Sequence, residues 1–204
     1  MGQEFLSTPV IEVASTGCIC EADVQRLRRD VFRDGTLDDK QAEALCFLNR
    51  RCKVCCTAWR SFFAEAVGDY LVQLTAPAGS LSLDNADWLV ERITVDGHVA
   101  TAAGMSLLVQ SLEAAEFAPE ELIDFAQAET RRAIVDRNGP LVVNPAGRAG
   151  LDDDERAALT LRLVKVVVRH GGLSVANTMI RDLDADWRSY GIDEPLEAVV
   201  AQAA

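Results

Sequence analysis

The chain has 204 residues, of which 49% are hydrophobic, and a formal net charge of -12. Such a length fits one or two domains, and the apolar fraction is that of a globular chain with a sizeable core. The acidic balance argues against broad nucleic-acid binding and against an anionic membrane surface, because phosphate repels it.

Residues 1–18 read as an irregular segment punctuated by Pro9 and Gly17. They lack the basic start and long apolar core of a signal peptide. No run of about 18 apolar residues follows anywhere, so no integral membrane segment is expected. These features describe a soluble cytoplasmic protein, in which thiols stay reduced.

Residues 19–137 are expected to form two helical hairpins. The first helix runs from Cys20 to Arg33 on Val24, Leu27, Val31 and Phe32. Its other face carries Arg26, Arg28, Arg29 and Arg33, read as a solvated face with salt bridges rather than an anion site. Asp34-Gly35 turns the chain, and Asp38 or Asp39 starts a second helix through Ala44, Leu45, Phe47 and Leu48. A broad apolar stripe of Phe62, Phe63, Ala66, Val67, Tyr70 and Leu71 predicts a long helix over 59–74. Pro77 and Gly79 break it.

The stretch from Asp84 to Leu112 is the organising pattern. Asp84 or Asn85 caps a helix whose apolar face holds Trp88, Leu89, Ile93 and Val95. Asp96-Gly97 ends it, because glycine tolerates a left-handed backbone. Val99 is a buried anchor, Thr101 caps the next helix, and Met105, Leu108, Val109 and Leu112 form that helix's stripe. Related corners occur at Gly35 and at Gly171-Gly172, with Leu37 and Leu173 as the corresponding anchors. A pattern recurring about every 65–70 residues suggests diverged helical hairpins packed together.

Pro119 opens a further helix through Leu122, Phe125, Ala126 and Ile134. Residues 138–150, NGPLVVNPAGRAG, are rich in turn formers and read as a loop or boundary. Residues 151–204 make the C-terminal hairpin on the same core. Asp152 and Glu155 form a capping box, a helix follows to His170, and a short helix begins near Glu194. The expected fold class is all-α, with eight or nine helices arranged as hairpin pseudo-repeats.

The candidate chemistry is concentrated in the cysteines, all six of which precede residue 57. Cys52-x-x-Cys55 has the spacing of half a zinc site, and Cys18-x-Cys20 can supply the other half. Tetrahedral zinc needs four such ligands, so the site requires the two segments to meet. Alternatively Arg50, Arg51 and Lys53 stabilise a reactive thiolate, or the cysteines simply fill apolar holes, as Cys46 does. The Asp-Gly turns lack the carboxylates of a calcium loop. His98 and His170 both sit in turns, and no nucleophile triad, phosphate loop or dinucleotide fingerprint is present. A catalytic site and a resident cofactor are therefore not expected.

The NADWL stretch from Asn85 to Leu89, the DGxV at Asp96 to Val99, AEALCFLN ending at Asn49 and AWRSFFAEAVGDYLV from Ala58 to Val72 form a recognisable set. Together they resemble uncharacterised bacterial proteins with tellurite-resistance TerB-like helical repeats, over about residues 20 to 170. The resemblance implies an all-helical fold and acidic metal-binding clusters. This chain departs from it: Gly104 and Met105 stand where an acidic residue is usual, and the third repeat lacks its acidic helix. No functional residue is carried over. The leading expectation is a non-enzymatic helical interaction or scaffold protein that binds a partner protein. The alternative is metal binding or redox sensing through Cys18, Cys20, Cys52 and Cys55.

Overall fold

Short polar residues ahead of apolar runs start most of the helices, and the computed structural model locates them over residues 7–30, 36–142 and 151–203. Nine α-helices occur among these residues, with only two-residue strands between them. The order is α1 (Thr8–Thr16), β1 (Cys18–Ile19), α2 (Glu21–Asp30), α3 (Asp39–Arg51), β2 (Val54–Cys55) and α4 (Thr57–Asp69). After these come α5 (Leu83–Ile93), β3 (Thr94–Val95), β4 (His98–Val99), α6 (Ala102–Ala114), α7 (Glu120–Ile134), α8 (Asp153–Trp187) and α9 (Leu196–Ala203). The all-α fold class is therefore as the periodicity predicts. No helix among the described residues is long and apolar enough to cross a membrane.

The capping box at α8 forms as the sequence suggests, and α3 has one as well. Asp38 accepts from the Gln41 backbone N–H while Gln41 bonds back to the Asp38 N–H, and Asp152 and Glu155 do the same at α8. Each such cap satisfies amides that the helix itself leaves free. Thr101 caps α6 by accepting from Gly104 N–H at 3.0 Å.

Helices α4 and α6 form the centre of the packing. Gly68 lets them approach closely, since a Cβ there would come within 3.1 Å of Gln110 Cγ. Trp59 stacks on Phe63 with ring centroids 5.6 Å apart, and both are fully buried. Each such side chain contributes about 1.5–3 kcal/mol of hydrophobic stabilisation. Helix α8 packs on α6 and α7, and α9 returns against α8. One cluster of buried side chains extends from Val10 to Val200. It includes Leu141, whose carbonyl accepts from the Tyr190 hydroxyl at 2.9 Å, while the rest of the expected loop, residues 143–150, lies outside the described residues.

Several expectations are corrected. The segment read as irregular is helical over Thr8–Thr16: Pro9 sits in the first turn, where its missing N–H costs nothing, and Val10, Val13 and Ala14 bury one face. The cap of α5 is Ser82, not Asp84 or Asn85, and it accepts from Asn85 N–H at 3.1 Å. Helix α4 begins at Thr57 and passes into a wider π turn over Tyr70–Leu74.

The central corner is a β-hairpin rather than a simple helix end. Strands β3 and β4 pair antiparallel around Asp96 (φ 53°) and Gly97 (φ 79°), the two left-handed residues of a tight hairpin turn. Extending Thr94-Val95 as a strand turns Val95 outward, so it is exposed, whereas Val99 is buried as expected.

The third corner also differs. Helix α8 bends at Gly172 (φ 64°, ψ -162°) and continues to Trp187. Leu173 is 73% exposed and anchors nothing. The Gly35 corner lies outside the described residues, although its anchor Leu37 is buried.

Candidate functional site

The cysteine segments do meet. β1 pairs parallel with β2, with Cys18 opposite Val54 and Ile19 opposite Cys55. The thiols themselves turn to separate partners. Cys52, buried, directs its Sγ to the Val13 carbonyl at 3.9 Å, Cys55 to the Cys52 carbonyl at 3.6 Å, and Cys18 to Thr16 Oγ1 at 3.6 Å. Among the described residues no three His, Cys, Asp or Glu side chains are arranged to hold a metal ion. Cys18, Cys20, Cys52 and Cys55 thus share a neighbourhood without forming a tetrahedral donor set.

Three of the thiols, Cys46, Cys52 and Cys55, are shifted away from activation. Burial pushes Cys52 above the ordinary thiol range, and the nearby charge of Arg51 is too weak to reverse it. Burial, with Cys52 and Cys56 adding to it, pushes Cys55 up to about 12. Cys46 is a core residue, as expected, and burial pushes it up to about 12 as well.

The arginine face of α2 is a salt-bridged surface. Arg26 pairs with Glu12 at 2.5 Å, Arg28 approaches Glu65 at 3.8 Å, and Arg29 pairs with Asp30 at 2.8 Å. Arg33 lies outside the described residues.

Three buried polar side chains, Glu129, Arg60 and Asn49, had no motif to announce them. Glu129 on α7 is only 3% exposed. Its Oε1 lies 2.8 Å from His98 Nδ1, and its Oε2 accepts from Val99 N–H at 3.2 Å and faces Arg132 Nη1 at 3.5 Å. Against an ionised carboxylate, which only accepts, Nδ1 is the donating nitrogen. His98 is thereby held in one orientation on the rim of a cleft of about 400 Å3, shared with Arg132, Asp96 and Pro140. The available signal was a glutamate standing in the buried stripe of Leu122, Ala126, Thr130 and Ala133.

Arg60 stands likewise among buried aromatics on α4 and ties that helix to the start of α8. Its Nη2 donates to both Glu155 oxygens at 2.7 Å and to Thr57 at 2.9 Å. A third buried group, Asn49, donates to Thr101 Oγ1 at 3.1 Å and accepts from Trp59 Nε1 at 3.4 Å.

Two further hollows are open. One, of about 300 Å3, lies between the end of α3, the end of α5 and the start of α6, and Arg50, Lys53 and Arg92 line it. The other is a groove of about 630 Å3 between the start of α7 and the bend in α8. Phe117, Ile123 and Val175 give it apolar walls, and Glu120 and Asp124 give it an acidic rim. Phe117 is 64% exposed there. His170 lines the same groove, with Nε2 2.7 Å from the Leu112 carbonyl. Beside it Arg169 reaches the carbonyls of Leu112, Glu113 and Ala115. These are the groups left unpaired at the end of α6, so Arg169 caps that helix. No protein-family model, curated protein or solved structure matches the chain.

Proposed function

We propose that the chain is a non-enzymatic helical interaction protein that seats a segment of a partner protein in the groove between α7 and the bend of α8. The observation that carries this reading is the exposure of a large apolar side chain on the groove wall, with a second at the adjoining bend. Phe117 lies on its wall, and the exposed Leu173 stands at the bend, between Gly171 and Ser174, which line the groove. Exposed apolar groups rimmed by charge are the usual composition of a protein-binding patch. The rim residues Glu120 and Asp124, on a chain of net charge -12, fit a partner segment with one or two apolar side chains flanked by lysine or arginine.

Within this reading the chain is a bacterial, cytoplasmic, diverged member of the TerB-like helical-repeat group. The NADWL and DGxV residues and the all-helical fold support that kinship. Thiol or zinc chemistry is the weaker reading, since its motivation reduces to the adjacency of β1 and β2.

The test compares the native chain with a Phe117→Asp/Leu173→Asp variant in pull-downs from the native host, with captured proteins identified by mass spectrometry. A partner held by the native chain and lost by the variant supports the proposal. A protein recovered alone, or a partner held equally by both, overturns it.

A further inference from the structure

From the lining of the cleft beside the β3–β4 hairpin we infer a binding site for a small phosphate-monoester ligand, separate from the partner groove. Three cationic side chains converge on it: Arg50 and Lys53 from the end of α3, and Arg92 from α5. Among the described residues no acidic side chain lines it. On a chain of net charge -12 a wholly basic hollow is the reverse of the average surface.

The three cations are not equivalent. Arg92 is held bidentately by Glu43, through Nε at 3.0 Å and Nη2 at 2.7 Å, and by Glu91 at 2.7 Å, so it serves as a fixed wall. Arg50 and Lys53 have no ion pair among the described residues. Both are exposed, and they bring two positive charges to the mouth, with Glu43 near enough to Arg50 to feel its charge. A dianion matches that charge, and a phosphate monoester carries about -1.5 to -2 at neutral pH. An arginine fork and a lysine point charge are the usual pair of phosphate donors.

The remaining lining specifies the rest of the ligand. Ile93, Val95, Ala100 and Pro140 make one side apolar, suited to a ring or short aliphatic body. The same Val95, Ala100 and Pro140 border the neighbouring cleft of His98 and Arg132. A ligand longer than the first hollow therefore reaches the cleft of Arg132, with Asp96 on its rim, without leaving the hairpin. The floor is rigid, because Asn49 and Thr101 are tied to each other at 3.1 Å.

The probes are phenyl phosphate, inorganic phosphate and benzoate, titrated into the full chain by calorimetry. Two double variants accompany the native protein. Arg50→Ala/Lys53→Ala empties the mouth of charge, and Arg131→Ala/Arg188→Ala removes the same charge from exposed positions elsewhere. Urea unfolding establishes that each variant is folded. The expected result is saturable one-to-one binding of phenyl phosphate, tighter than that of inorganic phosphate or benzoate. It weakens at least about tenfold in the Arg50/Lys53 variant and is unchanged in the other. Absence of saturable binding by millimolar phenyl phosphate overturns the site. So does equal weakening in both variants, which marks bulk charge alone. Benzoate binding as tightly as phenyl phosphate overturns the assignment of a dianion.

Discussion

Glu129 and His98 are joined across the fold, carboxylate oxygen to Nδ1 at 2.8 Å, although one sits on a helix and the other on a two-residue strand. The glutamate is the buried member, and it also holds the Val99 N–H. Removing it leaves that amide and Arg132 short of an acceptor, whereas removing the half-exposed imidazole leaves only the carboxylate short of a donor. Glu129→Ala is therefore expected to lower unfolding stability by about 2–3 kcal/mol, and His98→Ala by about 1 kcal/mol or less. Urea denaturation checks the order. Equal losses would mean that Glu129 acts only through His98.

The Asn49 relay gives a second test. Asn49 joins Trp59 on α4 to Thr101, the cap of α6, and all three sit in or beside the core. Asn49→Ala leaves the buried indole N–H without its partner and opens a cavity, a loss of about 2–3 kcal/mol. Asn49→Asp retains an acceptor for the indole but directs a carboxylate at Thr101 Oγ1. Circular dichroism melts should rank native above Asp and Asp above Ala at neutral pH.

Local periodic signals carried the fold and missed the polar centres. The stripes on α4 and α6 are readable because apolar residues at helical spacing must be buried together. The caps at Asp38, Thr101 and Asp152 are equally readable, since each lies next to the run it starts. Glu129, Arg60 and Asn49 were not, because their partners lie 31, 95 and 52 residues away in sequence. The only trace of them is a polar residue standing in an apolar stripe. Asp96-Gly97 is legible as a corner, but two-residue strands are too short to leave a period of their own. The adjacency of the two cysteine pairs depended on a parallel ladder with the same limitation.

Thiol labelling separates burial from reactivity. Cys18 and Cys20 are exposed, whereas Cys46 and Cys52 are buried. Alkylation of the native protein near neutral pH, read peptide by peptide, should modify Cys18 and Cys20 first. Cys46 and Cys52 should react only as the chain opens. The thiols of Cys46 and Cys55, held up to about 12, ionise in the unfolded chain near pH 8.5 but not in the folded one. Stability is therefore expected to fall as pH rises above about 8.5, more gently in Cys46→Ala than in the native chain. Uniform labelling of all six cysteines would contradict the burial.

His170 predicts the opposite flank of the pH profile. Burial depresses its pKa; the Leu112 carbonyl opposes this and the neighbouring Arg169 charge adds to it. With the folded value below the unfolded one, the unfolded chain binds the proton first. The contribution is complete above about pH 6.5 and is lost as pH falls from there toward the folded value. Urea midpoints between about pH 5 and 8 should decline on the acid side in the native protein, and less so in His170→Gln. The difference between the two curves isolates this ring from His98 and from the carboxylates. Parallel curves would show that His170 titrates alike in both states.

Gly172 decides whether α8 can bend at all. Its φ of 64° with ψ of -162° lies in a region that is essentially reserved for glycine, so any Cβ strains the backbone even though open space surrounds it. Gly171 is constrained differently, since a Cβ there would fall 2.4 Å from Val175 Cγ2. Gly172→Ala is expected to cost about 1–3 kcal/mol, while the exposed neighbour Ser174→Ala changes little. If the bend positions Leu173 for a partner, Gly172→Ala also weakens capture of that partner under conditions where the variant is still folded. A stability equal to that of Ser174→Ala would show that α8 straightens freely, and the groove would then owe nothing to the glycine.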